Sequence, residues 1–200
     1  MAEPTARCIV FDFGNVIALF DHMVACQRLA SLSRPPRDHH DVYERIFKTS
    51  LEEDYDCGRL STAAFVERLR RDLQLEASDE IIARAWCDIF TPNPAIEEVI
   101  LREKRRGTRL VLASNTNELH YQWFSRVFDR VLELFDEDVL SFRVGARKPD
   151  VRFFEACIRA SGRTVDQIIY IDDRRDYVAA GRALGMQAFV YDPALPPPAF

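Results

Sequence analysis

Cys8-Ile9-Val10-Phe11-Asp12-Phe13-Gly14-Asn15-Val16 is the stretch whose reading decides the fold. Four apolar residues run directly into an aspartate and a Gly-containing turn. A short unbroken apolar run bounded by polar turn residues reads as a strand buried on both faces, as in a parallel sheet covered by helices. Two later runs repeat the pattern: Leu110-Val111-Leu112-Ala113 ends at Ser114-Asn115-Thr116-Asn117, and Ile168-Ile169-Tyr170-Ile171 ends at Asp172-Asp173. Ligands of open α/β sheets bind outside the carboxyl ends of the strands. The three polar clusters are therefore expected to converge at one edge. Residues 187–191 read as a further strand, closed by Asp192-Pro193.

Helical signals fill the gaps. A helix is predicted over 95–106, after Asn93-Pro94 and before Gly107, with Ile96, Val99 and Ile100 at helical spacing. A second is predicted over 150–160, with Phe153, Phe154, Cys157 and Ile158 on one face, and a third over 176–184, before Gly185. Residues 19–90 differ in character: helical throughout, broken at Arg34-Pro35-Pro36 and Asp56-Cys57-Gly58, with no convincing strand. Lying between the first and second strands, they read as a helical insertion over the strand ends, in effect a cap; the plainer alternative is helices packed beneath the sheet. The tail from Pro193 to Pro198 reads as extended polyproline outside the core.

A chain of 200 residues buries a sizeable core and is most simply one domain with an inserted lobe. Its net charge of −5 offers no basic excess to neutralise nucleic-acid phosphates. Cys8, Cys26, Cys57, Cys87 and Cys157 are odd in number and without CxxC spacing, which fits small buried thiols in a reducing compartment. No segment approaches a membrane span, and residues 1–7 carry no signal-type apolar stretch. The expectation is a cytoplasmic protein, a monomer or weak homodimer, with neither nucleic acid nor membrane as partner.

Four motifs in order, Asp12-Phe13-Gly14-Asn15-Val16, Ser114-Asn115-Thr116-Asn117, Arg147-Lys148-Pro149-Asp150 and Asp172-Asp173, resemble those of the haloacid dehalogenase superfamily. Phe13-Gly14-Asn15-Val16 and the run from Ser114 to His120 look most like its glucose-1-phosphate phosphatase-like members. The resemblance implies an α/β fold: a three-layer Rossmann-like core of residues 1–18 and 91–200 with a parallel sheet, and a helical cap of residues 19–90. It also implies a phosphatase acting on small phosphorylated metabolites, sugar phosphates among them.

The chemistry follows from residue types. A carboxylate such as Asp12 attacks phosphorus to give an acyl-phosphate that water hydrolyses. Bringing it up to a phosphate dianion is repulsive, so a divalent metal and fixed cations are needed, and hard oxygen ligands suit Mg2+. Asp12 and Asp173 are candidate metal ligands. The resemblance gives the Gly14 carbonyl the third protein position, with Asp172 bound directly or through water; the plainer reading of Asp172-Asp173 is a turn or helix-capping pair. Ser114 and Asn115 resemble the motif whose hydroxyl and amides hold phosphoryl oxygens, and both are also ordinary residues at a helix start near Asn117. Lys148 resembles the motif lysine that neutralises nucleophile and phosphate; alone it reads as a surface lysine. Arg147, Arg174 and Arg175 read as solvated, His120 as helix-surface, His39 and His40 as facing water, and His22 as near the hinge. None of the histidines reads as catalytic.

Gly14 departs from the pattern, because phosphatases of this kind carry there a second aspartate that protonates the leaving group. Three options follow: a leaving group that needs little acid, another acid from the cap or from metal-bound water, or weak or lost activity. Two alternatives stay open: a dehalogenase-type hydrolase attacking carbon, and a non-catalytic binding protein on the same fold.

Overall fold

The structure, a computed structural model, describes residues 7–197. Residues 1–6 of the N-terminal reading and Pro198 of the tail lie outside the described residues. In chain order the first half comprises β1 (Cys8–Phe11), β2 (Ala18–Phe20), α1 (His22–Leu32), α2 (His39–Phe47), α3 (Leu51–Asp56), α4 (Thr62–Leu73), α5 (Asp79–Cys87) and β3 (Phe90–Pro92). The second half comprises α6 (Pro94–Arg105), β4 (Arg109–Ser114), α7 (Glu118–Val127), α8 (Asp129–Leu132), β5 (Glu137–Leu140), α9 (Ser141–Val144), α10 (Val151–Ser161), β6 (Ile168–Asp172), α11 (Arg175–Ala183) and β7 (Gln187–Val190).

β1 is buried at every position because it is the middle strand of a parallel sheet ordered β5-β4-β1-β6-β7. Phe11 lies opposite Leu112 on one side and Ile171 on the other. That register ends the three central strands level with one another. Successive side chains alternate between faces, so each strand feeds two cores. Ile9, Phe11, Leu110, Leu112, Ile169 and Ile171 pack against Ile96 and Ile100 of α6 and Phe124 of α7. Cys8, Val10, Val111, Ala113, Ile168 and Tyr170 pack against Phe153, Phe154 and Cys157 of α10 and Val178 of α11. These are the three layers of an α/β Rossmann-like fold, as expected.

Helices α1–α5 bury a third cluster of their own, in which Trp86, Phe65, Leu29 and Leu69 are fully enclosed. Each of α1, α2, α4 and α5 starts on a capping side chain, Asp21, Asp38, Ser61 and Ser78 respectively. The strandless reading of this region needs correcting at its two ends. β2 and β3 pair antiparallel, Phe20 opposite Phe90, so the chain leaves and re-enters beside itself. Three-residue strands are too short to carry a period-2 signal. β5 was likewise not expected, since Glu137 and Asp138 disguise an edge strand whose last two residues, Val139 and Leu140, are buried. The tail starts with a turn rather than extended polyproline: the Ala194 N–H donates to Asp192 Oδ1 at 2.9 Å and the Leu195 N–H to the Asp192 carbonyl at 3.0 Å. All five cysteines are buried free thiols, and no helix among the described residues is long and apolar enough to cross a membrane.

Candidate active site

The level strand ends bring Asp12, Ser114 and Asp172 to one edge, and the loop before α10 delivers Lys148 among them. Lys148 is not a surface residue; its side chain is 1% exposed. Its ammonium donates to Asp12 Oδ1 at 2.7 Å, Asp172 Oδ2 at 2.7 Å and the Ala113 carbonyl at 3.1 Å, which uses all three hydrogens. The loop is fixed by the Asn115 side chain, which accepts from the Lys148 N–H at 2.8 Å and donates to the Lys148 carbonyl at 3.1 Å. Asp172 is fully engaged as well. One oxygen accepts from Lys148 and from the Tyr170 hydroxyl, the other from the Arg174 N–H at 2.9 Å.

Asp173 is held from the opposite side of the first turn. Asn15 there adopts a left-handed conformation, φ 55°, and its amide donates to Asp173 Oδ2 at 3.1 Å. The hydrogen bonds that close this turn use the carbonyls of Phe13 and Ala18, which leaves the Gly14 carbonyl outside that ladder. Oxygens of Asp12, Asp172 and Asp173 lie within 4.8 Å of one another. Three carboxylates against one ammonium leave an excess of two negative charges. Burial accordingly pushes the Asp12 carboxyl up to about 8, with Asp172 and Asp173 adding to the shift and Lys148 opposing it. Burial also raises Asp173, against the Asn15 hydrogen bond. Burial works against the charge on Lys148, but Asp12 and Asp172 outweigh it and hold the ammonium above its usual range. An all-oxygen cluster with uncompensated negative charge fits a hard divalent cation such as Mg2+.

A cavity of about 370 Å³ opens in front of this cluster. Asp12, Gly14, Ser114, Asn115, Lys148 and Asp173 line its floor; Phe20, His22, Glu52, Asp56 and Phe90 line the facing wall. Several of these residues were not predicted. Arg147, expected in solvent, reaches across to α3, with its guanidinium 3.1 Å from Glu52 and 3.4 Å from Glu53. Arg174 fits the solvated reading better: it is exposed, paired with Asp176 at 2.7 Å, yet touches the cavity rim.

His120 is not on a helix surface. It is buried, stacked on Trp86 at 4.9 Å, with Nε2 against the Trp86 carbonyl at 3.2 Å, and burial lowers it to about 3. Asn117 is the N-cap of α7 and also reaches over to α3, where its Nδ2 donates to Asp56 Oδ1 at 3.0 Å. His22 opens α1 beside the ribbon, and burial lowers it to about 4.

The sequence signal that was available for Asp56 is its place before Gly58. Gly58 has φ 67°, and a Cβ there would lie 2.3 Å from the Phe142 carbonyl, so this turn must be glycine to sit against α9. Gly14 has a different reason. A Cβ there would lie 2.5 Å from the edge of the Phe20 ring, so a side chain at that position would require this ring to move.

The model of the haloacid dehalogenase-like hydrolases matches residues 6–185, nearly the whole chain. The chain belongs to this family. Among its curated relatives is a D-ribitol-5-phosphate phosphatase of Bacteroides thetaiotaomicron, 26% identical, covering 90% of this chain and 89% of the relative. Another is a sesquiterpene phosphatase of Aspergillus oryzae, 24% identical over 91% and 88%. The fold also superposes on a haloacid dehalogenase family enzyme of Bacteroides thetaiotaomicron crystallised with magnesium and inorganic phosphate. Its TM-score is 0.82 at 19% identity, covering 94% of this chain and 96% of that one.

Proposed function

We propose that this hydrolase is a phosphatase of small phosphorylated metabolites, dependent on a divalent cation, with Mg2+ the natural choice. The observation that carries the reading is the cavity-lining carboxylate of Asp12, pinned by a buried ammonium and accompanied by two further carboxylates within 4.8 Å. Asp12 attacks phosphorus and forms an aspartyl-phosphate, which water then hydrolyses. Lys148 offsets the charge that accumulates on the phosphoryl oxygens. The Ser114 hydroxyl and the backbone N–H of Asn115 are the proposed phosphate ligands; the Asn115 side chain is committed to Lys148. Asp12, Asp173 and the Gly14 carbonyl would hold the cation, with Asp172 contributing through its charge while it holds Lys148. When bound, the cation neutralises the two excess negative charges and polarises the phosphoryl group.

The relatives named above are phosphatases of skeletons as unlike as ribitol and a sesquiterpene, so glucose 1-phosphate is one ester to test among several. Helices α1–α5 would serve as the cap that closes over the substrate. The test is phosphate release from a panel of phosphomonoesters, with Mg2+ and again after chelation. Asp12→Asn is expected to lower kcat by about 10⁴-fold or more while the fold is kept. Turnover that survives both chelation and this substitution would sink the reading.

A dehalogenase-type reaction on carbon is the second reading. It loses one objection, because Asp172 has a use without metal in holding Lys148 and Tyr170. Asp173 still argues against it: Asn15 holds an extra carboxylate beside the nucleophile, where a metal-free reaction has no need of one.

A further inference from the structure

The reaction proposed above needs a proton for the leaving oxygen whenever that oxygen belongs to an aliphatic alcohol. Gly14 has no side chain to give one, and the edge of the Phe20 ring lies against the place of its Cβ. Two carboxyl groups of the facing wall have no part in the chemistry assigned so far. Glu52 and Asp56 stand one turn apart on α3, on the same face of the helix, and both line the cavity.

Their surroundings are asymmetric. Arg147 Nη1 is 3.1 Å from Glu52 and 4.0 Å from Asp56. Asp56 is buried, and its Oδ1 accepts from Asn117 Nδ2 at 3.0 Å, which leaves Oδ2 to carry a proton. Two carboxyls this close do not both ionise easily, and the one farther from the guanidinium takes the shared proton. Burial first, and the Glu52 charge second, keep the Asp56 carboxyl well above the usual carboxylate range, against the Asn117 hydrogen bond and Arg147. The histidines of the same cavity are poor rivals. Burial keeps both His22 and His120 neutral at pH 7, and the His120 nitrogens face Asn117 and the Trp86 carbonyl.

We propose that Asp56 is the general acid and base of this enzyme, replacing from the helical wall the group that Gly14 lacks. The inference rests on the phosphatase reading. In the first step an Asp12 oxygen forms a bond to phosphorus, and the bond from phosphorus to the leaving oxygen breaks. The leaving oxygen keeps the electron pair and takes the Asp56 proton, releasing a neutral alcohol. In the second step water attacks phosphorus and gives a proton to Asp56, while the bond from phosphorus to Asp12 breaks and returns its electron pair to the carboxylate. One ester and one water become one alcohol and one phosphate, and both carboxyls end as they began.

The experiment is single-turnover kinetics of the Mg2+-loaded protein on p-nitrophenyl phosphate, whose leaving group departs as a stable anion, and on glycerol phosphate, whose leaving group does not. Asp56→Asn should slow alcohol release from glycerol phosphate by about 10²–10⁴-fold and the p-nitrophenolate burst by less than about tenfold. Equal losses on both esters overturn the assignment. Glu52→Gln leaves Asp56 in place but removes the charge that raises it, so the alkaline limb of the rate profile should move to lower pH; an unmoved limb also overturns it. A readout independent of turnover is the protonated-carboxyl infrared band at pH 7 in the difference spectrum of wild type minus Asp56→Asn, in which the raised Asp12 and Asp173 carboxyls cancel. An active wild type without that band overturns the acid assignment alone. A wild type that keeps the band but cleaves neither ester defeats the phosphatase reading and the acid with it.

Discussion

The two walls of the cavity are built by different means. On the floor, Asp12, Ser114 and Asp172 are placed by the backbone register of three parallel strands, and one ammonium ties two of the carboxylates together. On the facing wall, Glu52, Asp56, His22 and Phe90 come from helices and a short ribbon, held by stacked rings and by side chains reaching across from the core. The floor's geometry is therefore a property of the sheet. The helical wall's geometry is a property of side-chain contacts, which a different set of residues could replace without disturbing the strands. A group missing from the rigid floor can be supplied by the adaptable wall.

The sharpest way to break this contrast is to remove the tie on the floor. Lys148→Met leaves Asp12 and Asp172 buried without their cation, and breaking such a pair costs about 3–5 kcal/mol. The Asp12 carboxyl, which burial already pushes up, relieves part of that cost by taking up a proton. The loss measured by urea unfolding should therefore be larger at pH 9 than at pH 5. A variant within about 1 kcal/mol of wild type at pH 9 would mean that the ammonium does not organise the floor.

The facing wall has its own pH signature, of opposite sign. His120 is neutral and buried, with a folded value near 3 against about 6.5 in an unfolded chain. Between those values the unfolded chain binds a proton that the folded chain does not, so stability falls as pH falls. The slope is at most about 1.4 kcal/mol per pH unit per group. Between pH 7 and pH 5, wild type should lose about 2 kcal/mol more than His120→Gln. Parallel pH profiles for the two would remove His120 from the account; His22, lowered for the same reason, contributes to both.

The same contrast governs what could be read without coordinates. The strand Cys8–Phe11 and the clusters that follow the other apolar runs were legible because each is a contiguous apolar run ended by polar residues. The family resemblance then assembled Lys148 with them. Burial of Lys148, however, depends on acceptors from three separate segments, Asp12, Ala113 and Asp172. Arg147 looked like solvated loop because its partners Glu52 and Glu53 lie about 95 residues away. His120 looked like helix surface because nothing local marks Trp86 as its stacking partner. Gly14 was legible as a missing acid, but its neighbour was not, since the Phe20 ring arrives through a strand too short to be recognised. For Lys148, Arg147 and His120 alike, what escaped was a side-chain contact with a segment far away in the chain.

Arg147 joins the two walls, and its removal is the smallest effect expected here. Its ion pairs with Glu52 and Glu53 are partly open to water, the guanidinium being about one-third exposed. Pairs of that kind contribute about 0–1 kcal/mol and weaken further with salt. Arg147→Gln should therefore melt within about 1 kcal/mol of wild type, with the difference shrinking at high ionic strength. The reason is that the wall is held by the enclosed Trp86–Phe65 cluster and the Asn117–Asp56 hydrogen bond, which this substitution leaves alone. A loss of several kcal/mol, unchanged by salt, would show instead that the helical wall is fastened to the core through this one arginine, and the adaptability argued for that wall would go with it.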